Sequence, residues 1–313
     1  MVDREPYHEG EITVQERTGE RRVAMHNGAM LRDALTPAER AFLANQRTVA
    51  VGTVDDRGRP WTSLWLGSPG FAASDDDRSV RVAHGLHRPS ADDPLRTMLL
   101  RGRDVGMLAI ELASRRRLRI NGVITASGDD RVEVAVREAF PNCPKYIQRR
   151  ELTTDGHATI TDAPPRDGDV LDTERRSFVE RVDTLFVASR HPTRGVDVSH
   201  RGGARGFVRV IDERTLRLPD YAGNGMFQTL GNFEVEPRAG VVMVDFERGR
   251  FLSLTGAVTV SYGAEDPEHP TGGTGRYWEL GVDEWRDFAM PAGFGFRFVD
   301  SSPFNPPAFG VAP

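Results

Sequence analysis

The sequence predicts a mainly β protein made of two fused copies of a small antiparallel barrel, six strands in each. Three observations carry that reading. The chain repeats itself: at a constant offset of 136, Thr48-Val49-Ala50-Val51 falls on Thr184-Leu185-Phe186-Val187, Ser63, Gly67, Gly70 and Phe71 fall on Ser199, Gly203, Gly206 and Phe207, and Arg78–Val82 falls on Arg214–Leu218. At an offset of 134, Leu118–Thr125 falls on Leu252–Thr259. Within each copy, short apolar runs alternate with Gly, Pro and Asp turns, the pattern of short strands. Each copy also holds one small helix among six strands, and closing such a sheet on itself removes its vulnerable edges. A repeat this long is domain duplication rather than a solenoid.

Residues 1–30 are polar and Gly-punctuated and read as an extended arm. Thr36-Pro37-Ala38-Glu39-Arg40 offers an N-cap followed by Pro at the first helical position, so a helix runs to about Asn45. Strands follow at Val49–Val54, Trp61–Leu66 and Ser79–Ala83. Leu95, Met98 and Leu99 sit at helical spacing within a predicted helix over Asp93–Arg101. Strands at Val105–Leu112, Leu118–Ser127 and Arg131–Ala139 complete the first copy.

The second copy opens with a helix over Glu174–Val182. Strands come at Thr184–Ser189, Gly195–Ser199, Gly206–Val210 and Thr215–Leu218, then a helix near Gly225–Phe233 and strands at Gly240–Phe246 and Phe251–Tyr262. Trp278–Trp285 and a last strand at Phe294–Val299 read as a tail anchored by the two tryptophans. The expected organisation is an arm, helix and first barrel over 1–160, a Pro- and Asp-rich linker over 161–172, and a second barrel with its tail over 173–313.

A net charge of -5 and a pI near 5.9 argue against a general nucleic-acid binder. No run of 18 apolar residues predicts a membrane span, and the N-terminus has no apolar signal core, so a cytoplasmic protein is expected. Cys143 is the single cysteine, which excludes an intrachain disulfide and a cysteine zinc cage. Arg115-Arg116-Arg117 reads as a solvated turn. Lys145 is the single lysine among 41 basic residues. His84, His87, His191 and His200 have irregular spacings, so no metal site is expected.

The two copies diverge after their third strands. The second reads Pro219-Asp220-Tyr221-Ala222-Gly223-Asn224-Gly225-Met226-Phe227-Gln228-Thr229-Leu230-Gly231-Asn232. Small residues let backbone N–H groups approach an anion, Asn224, Gln228 and Thr229 can donate, and a helix N-terminus favours negative charge. His200 and Arg201 can add positive charge, and Tyr221 and Phe227 offer flat faces. Gly-Asn-Gly is equally ordinary turn and cap vocabulary.

The run Val198-Ser199-His200-Arg201-Gly202-Gly203, then Gly206-Phe207-Val208 and the Pro219–Asn232 segment, resembles the pyridoxamine 5'-phosphate oxidase-like group of flavin-binding split barrels. His8-Glu9-Gly10-Glu11, Phe140-Pro141-Asn142-Cys143-Pro144-Lys145-Tyr146-Ile147-Gln148 and Ser302-Pro303-Phe304-Asn305-Pro306 resemble its two-barrel branch. The resemblance spans nearly the whole chain. It implies six-stranded split barrels that bind FMN at a barrel–barrel interface, and a homodimer. Carried onto this chain, Ser199, Arg201, Asn224, Gln228 and Thr229 become phosphate and ribityl candidates, with Tyr221 and Phe227 near the ring. Lys145 and Tyr146, ending the first barrel, would reach the site on the second. The oxidases proper carry Ser-Arg-Lys at the phosphate, where this chain has Phe227-Gln228-Thr229. The resemblance therefore does not extend to pyridoxal phosphate synthesis, and F420 or haem, bound by other split barrels of the group, stand as alternative cofactors. The expected activity is an FMN-dependent oxidoreductase passing electrons from NAD(P)H or a small substrate to a small acceptor or oxygen. A non-catalytic flavin binder is the alternative, and no catalytic residue is assigned.

Overall fold

The computed structural model describes residues 5–83, 93–128, 130–154, 165–267 and 269–306. His84 and His87, most of the first-copy segment after the third strand, and the start of the expected linker lie outside the described residues.

The arm is helical, not extended. Helices α1 (Glu9–Arg17) and α2 (Arg21–Gly28) precede the expected α3 (Pro37–Ala44). Histidine is an uncommon N-cap, yet His8 closes a full capping box: its ring accepts the Gly10 N–H while Glu11 reaches back to the His8 N–H. Gly19, at φ +71°, ends α1 in the left-handed conformation, so a glycine that reads as loop is a helix stop.

The first sheet contains β1 (Thr48–Val54), β2 (Pro60–Leu66), β3 (Ala72–Ala73), β4 (Ser79–Ala83), β5 (Asp104–Glu111), β6 (Arg116–Ser127) and β7 (Arg131–Pro141), in spatial order β2-β1-β5-β6-β7-β4-β3. Next come β8 (Arg149–Thr153), β9 (Arg166–Gly168) and α4 (Thr173–Arg181). The second sheet follows with β10 (Thr184–His191), β11 (Gly195–Gly202), β12 (Arg209–Val210), β13 (Thr215–Pro219), helix α5 (Gln228–Val235), β14 (Arg238–Asp245), β15 (Arg250–Ser261) and β16 (Tyr277–Ala289). Its order, β11-β10-β14-β15-β16-β13-β12, is the first sheet's order again. A last strand, β17 (Gly295–Asp300), pairs with β8. The fold is therefore mainly β and duplicated.

Further expectations change. Asp93–Arg101 holds only a 3-10 turn, Pro94–Thr97, whose N–H groups bond three residues back, Arg96 to Asp93 and Met98 to Leu95. Trp278 and Trp285 lie in the wall of the second barrel, on β16, and pack its core instead of anchoring a tail.

Neither pairing path closes, and what covers the open edges builds the seam. The edge strand β2 packs on β14 and β15 of the second copy, and its counterpart β11 packs on β5 and β6 of the first. Two repeat-related glycines make this approach possible. A Cβ on Gly106 would come within 2.7 Å of the Asp197 backbone, and one on Gly240 within 2.5 Å of the Pro60 backbone. Leu64, Leu108 and Ile110 from the first barrel share one apolar core with Phe186, Val198 and Val242 from the second. Each such side chain contributes about 1.5–3 kcal/mol of burial. The halves are thus held like subunits of an obligate dimer.

Candidate functional site: a basic cleft at the seam

Strand alternation separates the side chains of β11. Val196, Val198 and His200 share one face, toward the apolar core between the barrels, while Asp197, Ser199 and Arg201 share the other. Beside Ser199 and Arg201 opens a cleft whose non-atom space, open solvent included, is about 640 Å³. Arg117 and Arg119 on β6 of the first barrel line it, with Asn142, Cys143, Lys145 and Tyr146 from the segment after β7 and Tyr221, Gly223 and Asn224 from the loop after β13.

The segment after β7 crosses to the second barrel because Gly202 has no side chain: a Cβ there would lie 2.1 Å from the Tyr146 carbonyl. Gln148, fully buried, donates to the Gly203 carbonyl and accepts from Ser302 N–H and the Asn305 amide, tying the C-terminal stretch to the same place. Tyr146 sits at φ +67°, donates its hydroxyl to the Ala222 carbonyl, and meets the Tyr221 ring at 4.8 Å.

The cleft is electropositive. Arg119 pairs with Asp197 at 2.7 Å, and Arg201 approaches Asp220 at 3.6 Å, a carboxylate already bonded to Arg276 at 2.9 Å. Arg117 and Lys145 have no carboxylate partner among the described residues. Arg117 donates instead to the Cys143 carbonyl, with a long 3.5 Å contact to the His200 carbonyl. Burial, then the neighbouring Arg119 and Arg201 cations, push the Arg117 guanidinium below its ordinary value. An anion in the cleft would relieve that repulsion.

Seven of the ten sequence-nominated residues line this cleft: Lys145, Tyr146, Ser199, His200, Arg201, Tyr221 and Asn224. Three do not. Thr229 is buried against Ser199, their hydroxyls 2.9 Å apart. Gln228 accepts from Arg119 at 2.6 Å and faces a different cavity. Phe227, at φ +57°, precedes α5 and lies under the Arg276 guanidinium. Asn224 does not cap the helix; its side chain accepts the Met226 N–H in a local turn. His200 shows both ring nitrogens buried and unpartnered, its ring edge-on to Phe186. Burial, then Arg117 and Arg201, hold it neutral, well below the usual imidazole range. Nitrogens sealed in this way are poorly placed to ligate a haem iron.

Arg117 and Arg119 are not among the nominated residues. Arg115-Arg116-Arg117 is not a solvated turn throughout: β6 begins at Arg116, and Arg117 turns into the seam. The strand period separates Arg117 and Arg119 from the buried Leu118 and Ile120, but it does not say which face of β6 meets the other barrel.

The repeat explains why this cleft is single-sided. Its counterpart would use Trp65 in place of Arg201, and Phe251 and Ser253 in place of Arg117 and Arg119. All three are buried, Trp65 in the first barrel's own core, Phe251 in the core shared by the barrels and Ser253 against Thr62 of β2. One copy of the surface became basic and open; the other is filled.

His8, Glu9 and His191 also converge, their potential ligand atoms all within 4.8 Å of one another, a grouping the spacing along the chain did not reveal. In each ring Nδ1 accepts backbone N–H groups, Gly10 for His8 and Thr193 and Arg194 for His191. Nε2 of His8 meets the Asn232 amide oxygen at 3.0 Å and Nε2 of His191 meets Glu9 at 3.1 Å.

No helix among the described residues is long and apolar enough to cross a membrane. No family model and no curated protein matches the sequence. Among solved structures the chain is similar to HupZ of Group A Streptococcus (15% identity, 40% of this chain and 97% of that one, TM-score 0.30). It is similar to a provisionally named pyridoxamine 5'-phosphate oxidase of Lactobacillus delbrueckii (12%, 42% and 99%, TM-score 0.31). It is also similar to HutZ, a haem storage protein of Vibrio cholerae (14%, 40% and 96%, TM-score 0.26). Likenesses this distant carry no argument about function.

Proposed function

We propose that the basic cleft binds FMN and that the protein is an FMN-dependent oxidoreductase. The observation that carries this reading is the charge balance: two cations, Arg117 and Lys145, stand without carboxylate partners among the described residues in one cleft, beside the partly neutralised Arg119 and Arg201. Two excess positive charges suit the dianion of a phosphate monoester.

In this reading Arg117, Arg201 and Lys145 hold the phosphate, and Arg201 supplies the forked donors that fit its oxygens. Tyr146 and Tyr221 give a flat wall for the ring, their hydroxyls kept protonated by burial. Bound flavin supplies hydride chemistry between NAD(P)H, or another small donor, and a small acceptor or oxygen. This chain's own residues bind, orient and exclude water. The test is the absorption spectrum of the purified protein, with and without added FMN, followed by NAD(P)H consumption with quinones, nitro compounds and oxygen. Flavin absorption with turnover supports the oxidoreductase. Flavin without turnover for any acceptor supports a non-catalytic binder, and colourless protein that ignores added FMN overturns both.

A further inference from the structure

A second cavity, whose non-atom space with open solvent included is about 740 Å³, opens across the Arg119–Asp197 pair from the basic cleft. Four parts of the chain build it: α1, β7 with β6, the start of β11, and α5. Its lining is mixed: Glu11, Glu138 and Asp197 face it together with Arg194 and with Arg137, which is paired with Asp104 at 2.7 Å. Glu11, 5% exposed, accepts the His8 N–H with one carboxyl oxygen; the other has no hydrogen-bond partner among the described residues. Glu138 accepts from Asn121 at 2.9 Å and Gln228 at 3.4 Å with one oxygen, and its other is likewise unpartnered among the described residues. Arg194 also lines the cavity, exposed, donating to the Pro6 carbonyl and paired with no carboxylate among the described residues.

We infer that this cavity is a binding site for a small zwitterion of the amino-carboxylate class, its ammonium group held by Glu11 and Glu138 and its carboxylate turned to Arg194. Glu11 is buried and Glu138 half-buried, and each has a carboxyl oxygen without a protein partner among the described residues, an arrangement that suits a ligand carrying several N–H donors and positive charge. The exposed guanidinium calls for an anion at the other end. Protonation agrees with that geometry. Burial raises the Glu11 carboxyl to about 8 and raises Glu138 as well, with Asp197 adding repulsion to both and Arg194 attracting both. At neutral pH Glu11 is therefore largely protonated in the free protein. An ammonium group favours its ionised form, so binding releases a proton and tightens as pH rises through 8.

The experiment is calorimetric titration of the full chain with 4-aminobutyrate, butylamine and butyrate, run in two buffers of different ionisation enthalpy. The expected order is 4-aminobutyrate tightest, butylamine weaker and butyrate undetected, with proton release for the two amines. Glu11→Gln keeps the capping box, since glutamine also accepts the His8 N–H, and Glu138→Gln keeps the acceptor to Asn121. Each should weaken 4-aminobutyrate at least ~10-fold, while Arg201→Ala in the basic cleft leaves it unchanged. Absence of binding up to ~10 mM, butyrate binding as tightly as 4-aminobutyrate, or unaltered affinity in both glutamine variants would overturn the inference.

Discussion

Arg201→Ala separates a phosphate-binding arginine from one that merely shapes the cleft. The Arg201 guanidinium lies 3.6 Å from Asp220, its Nε is buried without a partner, and its side chain is about a quarter exposed. Removing it does not strand Asp220, which keeps Arg276 at 2.9 Å, so the fold should survive. A hydrogen bond to a charged group is worth about 1.5–3 kcal/mol. Partial exposure and the three remaining cations place the expected loss in the lower half, about 1.5–2 kcal/mol, or roughly 10–30-fold in affinity. The assay is flavin fluorescence titration of wild type and variant with both FMN and riboflavin. FMN affinity should fall by that factor while riboflavin, which lacks the phosphate, changes by less than about 2-fold. Equal losses for the two ligands would remove Arg201 from the phosphate and refute the charge argument.

The N-terminal helix should show a pH signature. Burial, then His191, hold the His8 ring at about 4 against its ordinary 6.5, so the fold disfavours its protonation. This contribution is complete above pH 6.5 and is lost as pH falls toward 4, roughly 3 kcal/mol in all. Glu11 beside it, raised to about 8, acts with the opposite sign and loses stability as pH rises from 4.5 through 8. His8→Asn, which keeps an N-cap acceptor, should flatten the acid limb in urea unfolding at pH 7 and 4.5; equal slopes for both proteins would contradict this. Gly240→Ala forces a Cβ to 2.5 Å from the Pro60 backbone and should cost about 1–3 kcal/mol by overpacking the seam, read as a lower melting temperature. Gln148→Ala leaves buried groups at Gly203 and Ser302 unsatisfied and should cost about 1–3 kcal/mol; an unchanged melting temperature would show that the C-terminal stretch is held by other contacts.

Duplication was legible because the repeat preserves strand-forming runs and turn glycines, which fold locally. The matching sheet orders arise from Thr48–Val51 and Thr184–Val187 having the same neighbours. The arm was not legible because its helix signals are unusual. A histidine N-cap and glycines at positions 10 and 19 look like loop, and α1 gains its stability from packing on α5, where Gly10 abuts Gly231. In the cleft, Ser199, His200, Arg201, Tyr221 and Asn224 of the second copy and Lys145 and Tyr146 after β7 are nominated by the sequence, whereas Phe227, Gln228 and Thr229 are nominated but lie elsewhere. Arg117 and Arg119 are not nominated, because their role depends on which face of β6 meets the other barrel. Only the seam decides that. The same limit hid the meeting of Glu11 with Glu138, separated along the chain and joined by the arm's docking.

The most direct test is a crystal structure of the full chain grown with FMN. The phosphate should lie within hydrogen-bond distance of Arg117 and Arg201, with the ring against Tyr146 and Tyr221 and one flavin per chain. Flavin bound on the Trp65 side, or in the cavity of Glu11 and Glu138, would contradict the account.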